Sequence, residues 1–353
     1  MKLEINGLGI REARLSAAGQ VARRILALPE SMLTRGAAPV LRDGRVLNRR
    51  VQALLAFGQM TGRSQLRLDV AHARANLKQL GMMAMPLVTS VHVAERRIPG
   101  PAGELKVRVY RRYRGPARSS AIVYLHGGGF VSGDLDTHEG TCRLLADVSG
   151  SVVVAVDYRL APEHPFPAAI EDALAAYGWV HAQADELGIV SGRVGVMGDS
   201  AGGSLSAVLC LEARERRLPM PVAQGLIYPC VDLELRFPSY ESVGTGFGLE
   251  RVAMEWFRSQ YAPDPADWRS PRVSPIYASD LSSLAPALVV TAGFDPLRDD
   301  GARYSEALRA AGVPVRYRCY DDMIHGFFGM GILPEGMAIA GEICAAMGEL
   351  MAA

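Results

Sequence analysis

Lysine is nearly missing from this 353-residue chain: Lys2, Lys78 and Lys106 are the only three, and arginine makes up the rest of 38 basic residues. Against 37 Asp and Glu this leaves a formal net charge of +1 and no long basic run. Electrostatic attraction of a nucleic acid is therefore not expected. Cysteine is scarce as well. Cys142, Cys210, Cys230, Cys319 and Cys344 are odd in number and show no C-x-x-C spacing, which fits reduced core thiols better than a disulfide frame. No apolar run approaches the roughly 18 residues of a membrane span. The first residues, Met1-Lys2-Leu3-Glu4-Ile5-Asn6, have neither the apolar core nor the cleavage site of a signal peptide. The expectation is a cytoplasmic protein without a membrane span. Internal repeats and low-complexity tracts are absent too.

What is present is core material: 49% hydrophobic residues in a length that predicts about two folding units. Residues from about 10 to 85 read as several short helices broken at Pro29, Pro39 and Pro86, with Met82, Met83 and Met85 as core filler. From residue 90 the texture changes. Val91–Arg97 and Leu105–Tyr110 alternate around Pro99-Gly100-Pro101-Ala102-Gly103 and predict a hairpin. Near-continuous apolar runs follow at Ala121–Leu125, Val152–Val156, Val194–Met197, Val222–Tyr228 and Leu288–Ala292, separated by helical stretches. Such strands belong to a parallel sheet covered on both faces. Val313–Tyr320 alternates apolar residues with Arg316 and Arg318, as an edge strand does, and a helix over about Gly336–Met351 closes the chain. Between Tyr228 and Leu288 the alternation breaks, and Arg251–Tyr261 reads as an inserted helix.

Gly198-Asp199-Ser200-Ala201-Gly202 lies between an apolar run and a helix-like stretch. In that setting Gly-x-Ser-x-Gly puts a serine on a sharp turn with its hydroxyl outward. In a chain with 37 glycines the pentapeptide alone is a weak signal. A serine hydroxyl needs a base, an orienting carboxylate and an oxyanion site before it attacks anything at neutral pH. Asp295 follows the strand Leu288–Ala292, and His325 follows the last strand. The order Ser…Asp…His is that of an α/β-hydrolase. His126-Gly127-Gly128-Gly129 follows the strand Ala121–Leu125, where backbone N–H groups can converge with that of Ala201.

Competing readings are weaker. His138-Glu139 opens a zincin-like motif, but Cys142 stands where the second histidine belongs, so no metal is expected. Asp299 and Asp300 read as early-helix acids, Asp199 as a brace for the turn, His164 as a loop brace and Glu163 as a hydrogen-bonding group near the glycine loop. His72, His92, His138 and His181 have no chemical context.

Four stretches together resemble the bacterial branch of the hormone-sensitive lipase family of α/β-hydrolase carboxylesterases. They are His126-Gly127-Gly128-Gly129-Phe130, the run from Asp157 to Pro167 (Asp-Tyr-Arg-Leu-Ala-Pro-Glu-His-Pro-Phe-Pro), Gly198 to Gly203, and Asp295-Pro296-Leu297-Arg298-Asp299-Asp300. The resemblance implies an α/β-hydrolase fold, with a mostly parallel central sheet, helices on both faces and a helical cap. It implies a triad of Ser200, Asp295 and His325, an oxyanion hole from Gly127, Gly128 and Ala201, and no cofactor. The expected division is an N-terminal helical cap segment (1–88), a catalytic core (89–230 and 280–353) and a second cap segment inserted at 231–279. The expected activity is hydrolysis of short- to medium-chain acyl esters through an acyl-enzyme. Two alternatives are an amidase or deacetylase with the same triad, and a non-catalytic small-ligand binder, as plant gibberellin receptors are on a similar chain lacking the histidine. A homodimer through the last edge strand is a further expectation.

Overall fold

The computed structural model describes residues 3–5, 8–10, 13–14, 17–60 and 67–353. Eight strands form one sheet: β1 (Val91–Gly100), β2 (Gly103–Arg112), β3 (Ser119–Leu125), β4 (Val152–Val156), β5 (Ile189–Asp199), β6 (Gln224–Ile227), β7 (Ala287–Phe294) and β8 (Val315–Ile324). Their order is β8-β7-β6-β5-β3-β4-β2-β1. Strands β3 to β8 run parallel to their neighbours, while the hairpin β1–β2 joins the sheet antiparallel to β4.

The apolar runs are apolar because both of their faces are covered. On β3, Ala121, Val123 and Leu125 enter one core, shared with α5 (Ala168–Ala182), α6 (Ala201–Glu215) and α8 (Arg298–Ala310). Ile122 and Tyr124 enter the other, shared with α4 (Glu139–Ser149) and α9 (Gly336–Ala352). A slip of one residue would exchange the two sets, so side-chain volume on each face fixes the register. Each fully buried Val or Leu contributes about 1.5–3 kcal/mol, and the five residues of β4 are all buried.

Strand β8 starts two residues later than its sequence pattern, just after Pro314, whose carbonyl accepts the Ala287 N–H. It also runs further, to Ile324, because Met323 and Ile324 are buried. β8 is an edge strand, as expected, but its end is already covered by the chain itself. Arg45 pairs with Asp321 at 2.7 Å, and the Asn48 N–H donates to the Asp322 carbonyl at 2.9 Å. Any second copy pairing along this edge has only the portion before Asp321.

The N-terminal region carries α1 (Ala17–Leu26), α2 (Arg49–Met60) and α3 (Val70–Ala84). Asp69 caps α3 by accepting the His72 N–H at 2.7 Å, which fixes where this helix begins. Met85 is buried in the core, whereas the side chains of Met82 and Met83 lie outside the described residues. The inserted helix, α7, has the expected bounds, Arg251–Tyr261. Among the described residues no helix is long and apolar enough to cross a membrane.

Candidate active site

Strand β5 ends at Asp199, α6 begins at Ala201, and Ser200 occupies the single residue between, at φ +55° and ψ −122°. An L-residue is strained there by about 1–3 kcal/mol. The surroundings hold it: the Ser200 N–H donates to the Ile227 carbonyl at 2.8 Å, and the Ser200 carbonyl accepts the Ser204 N–H at 3.1 Å. The flanking glycines leave room for a tight crossing. A Cβ on Gly198 would sit 2.3 Å from the Gly202 carbonyl oxygen, and one on Gly202 only 1.8 Å from that of Leu125. Neither position admits a side chain.

Strands β7 and β8 deliver the other two groups at the same end of the sheet. His325 Nε2 lies 2.9 Å from Ser200 Oγ, and His325 Nδ1 lies 2.8 Å from Asp295 Oδ2. Asp295 is fully buried, and its other oxygen accepts the Leu297 N–H at 2.8 Å. A carboxylate only accepts, so the imidazole proton sits on Nδ1 and the Nε2 lone pair faces the hydroxyl. The Tyr228 ring packs 4.5 Å from the imidazole and limits its rotation. Asp299 and Asp300 are occupied elsewhere. Asp299 accepts the Ser239 N–H, and Asp300 accepts the N–H groups of Val231 and Asp232 and the Tyr240 hydroxyl. Burial pushes the Asp300 carboxyl well above the usual range.

The glycine loop departs from expectation at one residue. Gly127 donates its N–H to Asp199 Oδ1 at 3.1 Å, so this donor is engaged and cannot also serve an oxyanion. Among the described residues the N–H groups of Gly128, Gly129 and Ala201 have no acceptor. Gly128 sits at φ +124°, where a Cβ would lie 2.0 Å from the Ser132 carbonyl oxygen. Gly128, Gly129 and Ala201 therefore keep free N–H groups in the lining beside the serine, while the Gly127 N–H ties the loop to the elbow.

That anchor belongs to a buried cluster that local sequence reading could not assemble. Asp199 also accepts the Tyr124 hydroxyl at 2.6 Å and lies 3.5 Å from His138 Nε2. Burial alone would raise the Asp199 pKa, but His138, Tyr124 and His126 outweigh it and the carboxylate is held below its ordinary value. His138, which had no context in the sequence, is thus part of the support. His126 stacks on Tyr158 at 4.2 Å, and its Nδ1 donates to the Gly127 carbonyl. Burial pushes its pKa down to about 4. Glu163 reaches the loop indirectly. It holds Arg74 of α3 at 2.6 Å, and Arg74 donates to the Val131 and Ala161 carbonyls.

Above Ser200 lies a cavity of about 520 Å³. Leu54, His72, Leu77 and Leu80 line it from the N-terminal region, and Leu249, Met254, Phe257 and Arg258 from the insertion. Among the described residues of the first 45, none lines it. Among the described residues no three His, Cys, Asp or Glu side chains converge as a metal site.

The alpha/beta hydrolase fold family matches residues 122–329, more than half of the chain. The chain belongs to the alpha/beta hydrolase family. Among curated alpha/beta hydrolases it is 44% identical to the carboxylic ester hydrolase LipN of Mycobacterium tuberculosis, over 88% of this chain and 84% of that protein. It is 45% identical to the ethyl acetate hydrolase of Pseudomonas putida, over 65% of this chain and 74% of that protein. Among solved structures, an alpha/beta hydrolase enzyme from the metagenome of Lake Arreo superposes with a TM-score of 0.82 at 37% identity, covering 87% of this chain and 99% of that one. A hyperthermophilic esterase from the archaeon Pyrobaculum calidifontis superposes with a TM-score of 0.78 at 40% identity, covering 85% and 98%. These relatives agree with the hormone-sensitive-lipase resemblance drawn from the motifs.

Proposed function

We propose that this alpha/beta hydrolase is a serine carboxylesterase acting on short- to medium-chain acyl esters. The observation that carries the reading is the continuous hydrogen-bonded line from Asp295 through His325 to Ser200 at the floor of the cavity, at 2.8 and 2.9 Å. In the mechanism, Ser200 Oγ attacks the ester carbonyl as His325 Nε2 takes its proton. The carbonyl electron pair moves onto oxygen, and the N–H groups of Gly128, Gly129 and Ala201 receive that oxyanion. Asp295 stabilises the imidazolium, His325 returns the proton to the leaving alkoxide, and the acyl-enzyme forms. Water then repeats the cycle with His325 as base, releasing the acid and restoring Ser200.

The N-terminal segment (1–88), through Leu54, Leu77 and Leu80, and the inserted segment (231–279), through Leu249 and Met254, are assigned to one cap over this mouth, which supports a pocket of limited length. The relative named ethyl acetate hydrolase supports the short-acyl preference. The cytoplasm and a homodimer through the free part of β8 complete the reading. The test is labelling with a fluorophosphonate probe together with hydrolysis of an acyl-length series. Absence of probe labelling at Ser200 in a folded protein would remove the nucleophile, and with it the esterase reading.

A further inference from the structure

The cavity over Ser200 is apolar except for a few groups, and one of them is not accounted for by the esterase mechanism. Arg258, on the cavity side of α7, has no ion pair among the described residues. Among the described residues its guanidinium makes one hydrogen bond, from Nη1 to the Leu233 carbonyl at 3.0 Å, and it stacks 3.7 Å above the Trp268 ring. Its Nε is buried without an acceptor. Glu255, one turn away, is held by Arg251 at 3.0 Å. Half-burying a guanidinium, with Nε shielded and one carbonyl and one ring for partners, is unfavourable unless something completes the set.

Among the described residues the rest of the lining supplies no unengaged counter-charge. Its one carboxylate, Asp199, is engaged by Tyr124, Gly127 and His138. Arg67 adds a second, exposed cation to the lining, also without a carboxylate partner among the described residues. The fixed charge of the cavity is positive, and the free donors belong to a planar fork suited to a carboxylate.

Building on the esterase reading, we propose that Arg258 is a specificity determinant that receives a carboxylate on the substrate, so that the preferred esters carry an anionic group. The carboxylate belongs either to the acyl part, as in a half-ester of a dicarboxylic acid, or to the alcohol part, as in an acyl ester of a hydroxy acid. Both present the same chemistry to the guanidinium, and the assay separates them.

The experiment measures kcat and KM of the full chain on matched pairs. Monoethyl succinate, glutarate and adipate are set against ethyl butanoate, pentanoate and hexanoate for the acyl arm, and 3-acetoxypropanoate against butyl acetate for the alcohol arm. The expected result is a wild-type kcat/KM on one anionic arm at least equal to that on its neutral partners. Arg258→Met, which keeps an unbranched apolar stem but removes the guanidinium, is expected to lower that anionic-to-neutral ratio by about 10- to 100-fold, mainly through KM, the range of a lost charge-assisted hydrogen bond. Arg258→Lys, which keeps the charge without the fork, is expected to retain most of the ratio. A ratio unchanged in Arg258→Met, with both members of a pair falling together, would show a brace between α7 and Leu233 and overturn the proposal. A wild type that rejects both anionic arms while hydrolysing ethyl acetate overturns it as well, and leaves the esterase reading standing. No hydrolysis of any neutral ester would remove the esterase reading itself.

Discussion

Two substitutions at Ser200 separate the chemistry of the residue from the strain of its backbone. Ser200→Ala keeps a Cβ at φ +55°, ψ −122°, whereas Ser200→Gly removes it. Both delete the nucleophile, so both lose about a million-fold in kcat. Their stabilities differ. The native conformation costs an L-residue about 1–3 kcal/mol, and glycine adopts it freely. Glycine in turn loses about 0.4–1 kcal/mol through the greater freedom of its unfolded chain. The difference leaves Ser200→Gly more stable than Ser200→Ala by about 0.5–2 kcal/mol. Loss of the hydrogen bond to His325 is common to both variants and cancels. Guanidinium unfolding followed by the fluorescence of Trp179, Trp256 and Trp268 measures the difference, and ester turnover is measured on the same samples. A glycine variant less stable than the alanine variant would refute the strain argument. An alanine variant with a tenth of wild-type turnover would refute the nucleophile.

Asp295→Asn should reduce kcat by about four orders of magnitude, because the amide favours the wrong imidazole tautomer; Asp299→Asn, whose native carboxylate holds Ser239 and Arg298 instead, should do far less, and the reverse ranking would move the carboxylate assignment. Asp199→Asn keeps an acceptor for the Gly127 N–H but removes the charge, a loss of about 1.4 kcal/mol when a charge-assisted bond becomes neutral. It should lower kcat about tenfold with little change in KM, and a change confined to KM would contradict the positioning role. His126 has a folded-state pKa near 4 against an ordinary value of 6.5. Between those values the unfolded chain takes up a proton that the folded chain refuses, so this group's contribution to stability is full above pH 6.5 and declines as pH falls toward 4, by about 3 kcal/mol. His126→Gln should flatten the unfolding free energy over that window, and curves that stay parallel to wild type would show that the buried imidazole does not titrate as argued.

The parts of the site that lie at strand ends were readable because chain order maps directly onto them. Ser200, Asp295 and His325 each follow an apolar run, and parallel strands carry such residues to one end of the sheet. The hairpin and α7 were readable from period and turn residues, which are local properties. The allocation of donors in the glycine loop was not. Gly127, Gly128 and Gly129 are indistinguishable as residues, and what separates them is the Asp199 carboxylate, 72 positions away, taking the first N–H. His138 was invisible for the same reason, since it meets Asp199 only once α4 is packed on β2 and β4. The N-terminal region reads in the sequence as one cap segment, whereas residues 45–48 lie against the end of β8 and α3 lines the cavity. Its helices carry apolar residues that serve both contacts, and a helical stripe does not say which neighbour it meets.

The cap and the chemistry also share atoms, which bears on how specificity can change in this enzyme. A Cβ at Gly129 would lie 2.4 Å from the Phe257 ring, so α7 rests directly on the backbone whose N–H is proposed to receive the oxyanion. The third glycine of the loop is needed for that contact as well as for its φ of +63°. Arg258 is the next residue along the same helix. A shift of α7 that deepened or narrowed the cavity would therefore move the ring against Gly129 and disturb the oxyanion donors in the same motion. A 1 Å error in such a group can cost about a hundredfold in rate. Exchange of residues at Leu249 or Met254, which also line the cavity, leaves the Phe257 ring itself in place. Chain-length preference should accordingly respond to substitutions at those two positions with kcat on an acetate ester nearly preserved, whereas Phe257→Ala should lower kcat on every ester alike. Equal losses of kcat from all three changes would mean that the cap helix is not seated on the oxyanion loop in solution.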